Sequence, residues 1–100
     1  MHVISKRALR DFYLIHDRSK GPILAWHRLM ERSDVPDLNG LHRVFPSADY
    51  TAPFTIFNVG GNRFRIVTAI HYNRRKVYVR AVLTHAEYDR WSAAHREQYR

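Results

Sequence analysis

Residues 54–89, FTIFNVGGNRFRIVTAIHYNRRKVYVRAVLTHAEYD, decide how this chain reads. Arg63–Tyr72 and Val77–Thr84 both alternate apolar and polar residues, the period of a strand with one buried face. Between them Asn73, Arg74, Arg75 and Lys76 are polar and fit a turn. With these four as the loop, Tyr72 should face Val77, Ile70 face Val79, Thr68 face Ala81 and Ile66 face Leu83, forming an apolar side. The opposite side should carry Arg65, Val67, Ala69 and His71 against Tyr78, Arg80, Val82 and Thr84. A one-residue slip would bury the arginines and expose the core set, so the register is under strong constraint. An earlier strand, Phe54–Val59, joins through Gly60-Gly61-Asn62, a tight-hairpin signal. A two-residue turn at Gly60-Gly61 or at Gly61-Asn62 gives the same facing, with Phe57 on the core side and Ile56 and Asn58 on the arginine side.

Outward from this segment, His2–Ile4 is a short strand candidate, Ser5 a helix cap, and Ala8, Leu9, Phe12, Tyr13 and Ile15 follow helical spacing. Gly21-Pro22 should break that helix and open the next, whose stripe is Ile23, Trp26, Leu29 and Met30. Ser33–Pro53, rich in Pro, Gly, Asp and Asn, reads as a long loop pinned by Leu41, Val44, Phe45 and Tyr50. Thr84-His85-Ala86-Glu87 matches a capping box and starts a final helix where the last strand ends. His85 lies in its first turn, with Tyr88 and Asp89 one turn on. The expected order is β-α-α-β-β-β-α, an α+β fold in one domain spanning residues 1–100. A chain of this size buries roughly 65% of its unfolded surface, enough for one modest core.

The net charge is +8 and the isoelectric point about 10.4. Residues 1–50 hold eight Lys/Arg and six Asp/Glu, whereas residues 51–100 hold nine and three. The excess sits with the patterned sheet and points to a polyanion, foremost nucleic acid. Cysteine is absent, which excludes disulfides and thiolate metal sites. The remaining histidines, His2, His16, His27, His42 and His95, form no i,i+3 or i,i+4 pair with one another, so no zinc site is expected. Gly60-Gly61 is a hairpin turn rather than a nucleotide-binding loop. No run of about 18 apolar residues and no signal-peptide core is evident, so a cytoplasmic protein without membrane association is expected.

Taken together, MHVISKRALRDF, HRVFPSADY, FNVGGNRFRIV and VYVRAVLTHAEYD resemble the HigB branch of the RelE-type toxins, the mRNA-cleaving members of bacterial toxin–antitoxin pairs. The combination of FNVGGNRFR with THAEYD is the specific part. The resemblance covers nearly the whole chain. It implies a RelE-like fold with a curved antiparallel sheet and helices on one face, cleavage of mRNA on the ribosome, and a cognate antitoxin with a helix-turn-helix domain. Such toxins often cut with arginines, a lysine and a late His or Tyr. Arg63 or Arg65, Arg80, His85 and Tyr88 fall where these groups are expected. Lys76 is the only lysine after residue 20, so a lysine base on the sheet is not expected.

RNA carries its own nucleophile, the 2′-OH. Cleavage then needs a positioned hydroxyl, cations where charge develops on phosphorus, and proton transfer, with no cofactor or metal. Arg65 and Arg80 form the expected phosphate clamp, because the guanidinium fork fits phosphate oxygens. Arg63, beside the turn, is either a third cation or a solvated edge charge. His85 is the first choice for general acid or base, its ordinary pKa of about 6.5 lying near working pH. Tyr88 either orients the phosphate or packs the helix on the sheet. Asn58, Asn62, His71 and Tyr78 are candidate RNA contacts, with turn formation or cross-strand packing as the structural alternative. Arg74, Arg75 and Lys76 form a basic loop tip for RNA. Asp89 reads as a helix-start acid. The competing functions are a basic RNA-binding module without catalysis and a related toxin fold with another target, such as gyrase.

Overall fold

The structure, a computed structural model, describes residues 1–98, the last of them by its backbone alone. The chain runs β1 (His2–Ile4), α1 (Lys6–Ile15), α2 (Lys20–Arg32), α3 (Leu38–Val44), β2 (Asp49–Thr51), β3 (Phe54–Val59), β4 (Phe64–His71), β5 (Lys76–Thr84) and α4 (His85–Gln98). The five strands form one sheet in the order β1-β5-β4-β3-β2. The α+β class is as expected, with more elements than the expected order contains. The sheet is mixed rather than antiparallel throughout, because β1 pairs parallel with β5 while the other pairs are antiparallel. No described helix is long and apolar enough to cross a membrane.

The β3–β4 hairpin follows the second of the two anticipated turns. Val59 pairs with Phe64, and Gly61 and Asn62 form the turn, both at positive φ as a type I′ turn requires. Gly60 is also at positive φ, and a Cβ there would lie 3.0 Å from the Phe64 ring.

The β4–β5 pairing departs from expectation in a way that matters. Ile70 pairs with Val77 and Thr68 with Val79, a register shifted by two residues from the one anticipated, because the four-residue loop is residues 72–75 rather than 73–76. Arg75 makes this possible by taking the left-handed conformation at φ 56°. Tyr72 therefore leaves the strand; its ring packs on the core, and burial pushes its phenol above the usual value. The register then shifts between Val67 and Thr68, and Val67 pairs with Ala81 and Ile66 with Val82. Arg80 is the extra residue of this bulge. Val82 and Thr84 thus turn to the core side and Ala81 and Leu83 to the arginine side, the reverse of the alternation expected beyond Arg80.

α1 and α2 cover one face of the sheet. Their Leu9, Ile23, Trp26 and Met30 meet Val3, Phe57, Ile66 and Val77 in one buried cluster. Phe57 sits edge-on to both Trp26 and Phe45, at centroid distances of 5.3 and 5.0 Å. The first helix ends earlier than Gly21-Pro22. It stops at Ile15, and a turn at Asp17–Ser19, closed by Ser19 donating to the His16 carbonyl, leads into α2. Gly21-Pro22 instead lies in the first turn of α2, where the missing proline N–H costs nothing. The long loop contains α3, capped by the Asp37 carboxylate accepting from the Gly40 N–H, and the short edge strand β2. Leu41 is fully buried and Val44 and Phe45 pack on the core as anticipated, but Tyr50 stands exposed.

The helices do not all lie on one face. Phe54 alternates with Ile56 onto the arginine side, and its ring meets Trp91 and His95 of α4. Ile56 and Val67 are 1% and 0% exposed, yet they lie outside the α1–α2 cluster. α4 therefore closes the lower part of the arginine face.

Gly60→Ala should destabilise the protein by about 1 kcal/mol or more, through both left-handed strain and displacement of Phe64. Gly61→Ala carries the strain alone, since nothing lies within 4 Å of its added carbon, and should cost less. Urea unfolding of both variants checks the order; equal losses would remove the Phe64 contribution.

Candidate active site

Arg65 is 8% exposed, unusual for a cation, and its surroundings account for that. Its guanidinium donates to the Asn62 carbonyl at 2.7 Å and the Phe64 carbonyl at 3.3 Å. The Asn62 carbonyl is available because the turn holds Asn62 at positive φ. The third partner is His85 Nδ1, 3.1 Å from Nη2 of Arg65. An arginine can only donate, so Nδ1 supplies the lone pair and the ring proton lies on Nε2. On that side Asp89 Oδ2 stands 3.5 Å away. Below, the guanidinium carbon lies 5.3 Å from the centre of the Tyr88 ring, within cation–π range.

His85 owes its position to two local devices. Its backbone N–H donates to the Arg63 carbonyl at 2.9 Å, tying the helix start to the β3–β4 turn. The capping box forms as expected, Thr84 N–H donating to Glu87 at 2.8 Å and Glu87 N–H to Thr84 Oγ1 at 3.2 Å. The Thr84 N–H, above all, holds the Glu87 carboxyl below its usual range.

The expected residues fall into three groups. Arg65, His85 and Tyr88 come together, with Asp89 as a partner of His85. Its i,i+4 spacing was the signal for this contact, beyond the dipole role assigned to it. His71, Tyr78 and Arg80 form a second group on the same side of the sheet. The His71 and Tyr78 rings meet edge-on at 5.1 Å, and the Arg80 guanidinium lies 5.4 Å from the Tyr78 ring centre. Arg80, exposed at the bulge, sits about two residue rises, roughly 7 Å, along the sheet from Arg65. The third group, Arg74, Arg75 and Lys76, is at the far end of β4, roughly 20 Å from Arg65 at ~3.3 Å per residue. Within it Arg75 pairs with Asp34, so the loop tip is not free of acids.

The side chain of Arg63 is exposed, and Asn58 is half-buried across from Arg65. Sequence reasoning missed Trp91 and His95, which stack behind Tyr88; their i+3 and i+7 spacing from Tyr88 was the available signal. Among the described residues, no three His, Cys, Asp or Glu side chains gather as metal ligands do.

The α+β fold, with its five-stranded mixed sheet, is consistent with that of RelE-like toxic components of toxin–antitoxin systems. The profile of the HigB_toxin family, described in those terms, matches residues 19–91, and the chain belongs to that family. It is 35% identical to the mRNA interferase toxin HigB of Escherichia coli K12, over 96% of this chain and 95% of that one. The mRNA interferase HigB of Shigella flexneri matches to the same extent. The mRNA interferase HigB of E. coli O6:H1 (strain CFT073) is 25% identical over 97% of each chain. Membership in a toxin–antitoxin family implies an antitoxin partner.

Thr84→Ala should cost about 1 kcal/mol, the usual worth of an N-cap. Because the Glu87 carboxyl is depressed in the folded protein, its stabilising effect is complete above the ordinary value of 4.5 and fades as pH falls through the lower folded value. Melting temperatures of wild type and Glu87→Gln should therefore converge in acid; a constant gap between pH 7 and pH 3 would contradict this.

Proposed function

We propose that this chain is the endoribonuclease toxin of its system, cleaving translated mRNA by attack of the RNA's own 2′-OH. The observation that carries the reading is the placement of His85 between Arg65 and Asp89. Nδ1 holds the only lone pair of the neutral ring, and the Arg65 guanidinium covers it. A scissile phosphate drawn to Arg65 competes for that guanidinium and releases Nδ1 as general base for the 2′-OH. Asp89, on the Nε2 side, then stabilises the imidazolium that forms, the role a carboxylate plays behind a catalytic histidine. Arg65 is held from behind by two carbonyls and the Tyr88 ring, so it meets the developing phosphorane charge with little reorganisation. Arg80 and Arg63, both exposed, supply further cations. Tyr78, His71, Asn58 and Asn62 line the path for flanking nucleotides. The site offers guanidinium and imidazole groups, and these carry the charge and the proton in every step above. The names of the relatives, mRNA interferases, support the substrate class.

The basic loop of Arg74, Arg75 and Lys76, a β4 length away from Arg65, is the contact for ribosomal RNA phosphates, which makes cleavage ribosome-dependent. The antitoxin is of the helix-turn-helix type. The toxin acts in the cytoplasm, where translated mRNA is found.

His85→Gln should lower the cleavage rate by about 10²- to 10⁴-fold while the protein still melts cooperatively. Arg65→Lys should also fail, since an ammonium cannot reproduce the fork. Upstream fragments should end in a 2′,3′-cyclic phosphate or its 3′-phosphate, and a 2′-deoxy sugar at the cut position should abolish cleavage. Primer extension on a translated message, followed by end-group analysis, checks all of these; a 3′-OH product would overturn the mechanism.

Replacing Arg74, Arg75 and Lys76 together by Glu should weaken co-sedimentation with ribosomes and flatten its salt dependence, by about one unit of slope for each phosphate no longer bound. Unchanged sedimentation would place ribosome binding elsewhere.

A further inference from the structure

α4 is poorly equipped to hold itself on the sheet. Within HAEYDRWSAAHREQ the only large apolar side chains are Tyr88 and Trp91. Yet one of its residues supports a buried guanidinium and another presents its imidazole to it. Tyr88, Trp91 and His95 lie at i, i+3 and i+7, on one face of the helix. Their rings form a continuous stack: Tyr88 to Trp91 at 5.8 Å and 23°, Trp91 to His95 at 5.0 Å and 4°. Phe54 braces the lower half, edge-on to Trp91 at 5.6 Å and tilted against His95 at 5.4 Å. His95, 6% exposed, closes the stack with Nε2–H donating to the Ala52 carbonyl at 2.9 Å. A carbonyl only accepts, so this bond fixes the ring orientation and presents its flat face to the indole. The upper end of the stack is the Tyr88 ring beneath Arg65.

We infer that Trp91 and His95 are positioning residues of the active site, forming with Tyr88 an aromatic strut from the β2–β3 connection to the Arg65 guanidinium. The capping box fixes only the first turn of α4. A helix held at one end swings about it, and Tyr88, one turn on, would move relative to Arg65. The strut supplies the second fixed point. Because Arg65 also holds His85 Nδ1, its displacement changes both the cation and the base. The strut touches no substrate in this scheme, so its loss should appear in turnover rather than in RNA affinity. The inference rests on the endoribonuclease reading for its kinetic consequence.

The test is single-turnover cleavage of mRNA on purified translating ribosomes by full-length wild type, Trp91→Leu and Trp91→Phe. Trp91→Leu should melt cooperatively, lose on the order of 10- to 100-fold in the cleavage rate, as small misplacements at an active site do, and keep its half-saturating concentration within about twofold. Trp91→Phe, which keeps a stacking ring, should recover most of the rate. Added to Arg65→Ala, Trp91→Leu should cause little further loss, because residues acting as one unit are not additive. A purely structural role predicts the opposite, additive losses. Wild-type turnover in Trp91→Leu, a loss confined to half-saturation, or additivity with Arg65→Ala would each overturn the inference. If Trp91→Leu does not fold, His95→Gln replaces it: its amide keeps the bond to Ala52 without the ring, and the same rate loss is expected. Wild type that cuts no mRNA would instead sink the endoribonuclease reading itself.

Discussion

A guanidinium removed from water is the constraint around which this small protein is arranged. Taking an arginine to 8% exposure is unfavourable unless its donors find acceptors and its charge finds a compensating field. Among the described residues, no carboxylate is in direct contact with Arg65. The guanidinium has two backbone carbonyls, one imidazole nitrogen and the face of a tyrosine. None of these neutralises the charge as an Asp or Glu would, so Arg65 keeps a positive potential beside the exposed His85. An arginine matched to a carboxylate would be more stable and less available to a phosphate.

Each partner of Arg65 imposes a demand on another part of the chain. The Asn62 carbonyl requires a turn with positive φ at its centre, which Gly61-Asn62 provides. The imidazole requires a helix that starts where β5 stops, which the Thr84–Glu87 box provides. The tyrosine requires that helix to lie across the arginine face rather than leave into solvent. That in turn requires the apolar floor of Ile56 and Val67, and it explains why both are buried on the side opposite α1 and α2. One side of the sheet carries the main core, and the other carries a smaller core whose upper edge is the site.

Much of this was legible in the sequence because side-chain period and turn chemistry are local. The alternation in FTIFNV and FRIVTAIH gave the correct facing of Phe57, Asn58 and Arg65, and THAE gave the cap. The β4–β5 register was not legible, because two non-local adjustments compete with simple alternation. Arg75 adopts a left-handed conformation that no glycine announces, and the bulge at Arg80 resets the alternation within a run, VYVRAVLT, whose residues suit either face. The placement of α4 was not legible either. Its composition is that of a solvated helix, and only the spacing of Tyr88, Trp91 and His95 hints at a buried stripe. The parallel pairing of β1 with β5 depends on contacts spanning more than seventy residues, which periodicity does not encode.

The bulge at Arg80 also gives the arginine face its form. Without it, Arg80 would alternate in a flat ladder opposite a residue of β4. With it, Arg80 and Ala81 together oppose Val67, and bulges increase local twist and re-aim the side chains they carry. Arg80 emerges exposed, stacked on Tyr78, about two residue rises from Arg65. The two cations thus differ in kind. Arg65 is buried and held by fixed acceptors, which under the proposed function would define a single phosphate position. Arg80 is solvated and rests on the Tyr78 ring. Under the function proposed above, a polyanion drawn along the face would meet solvated charge first and fixed charge last. The histidine whose lone pair the fixed charge covers lies at that inner end.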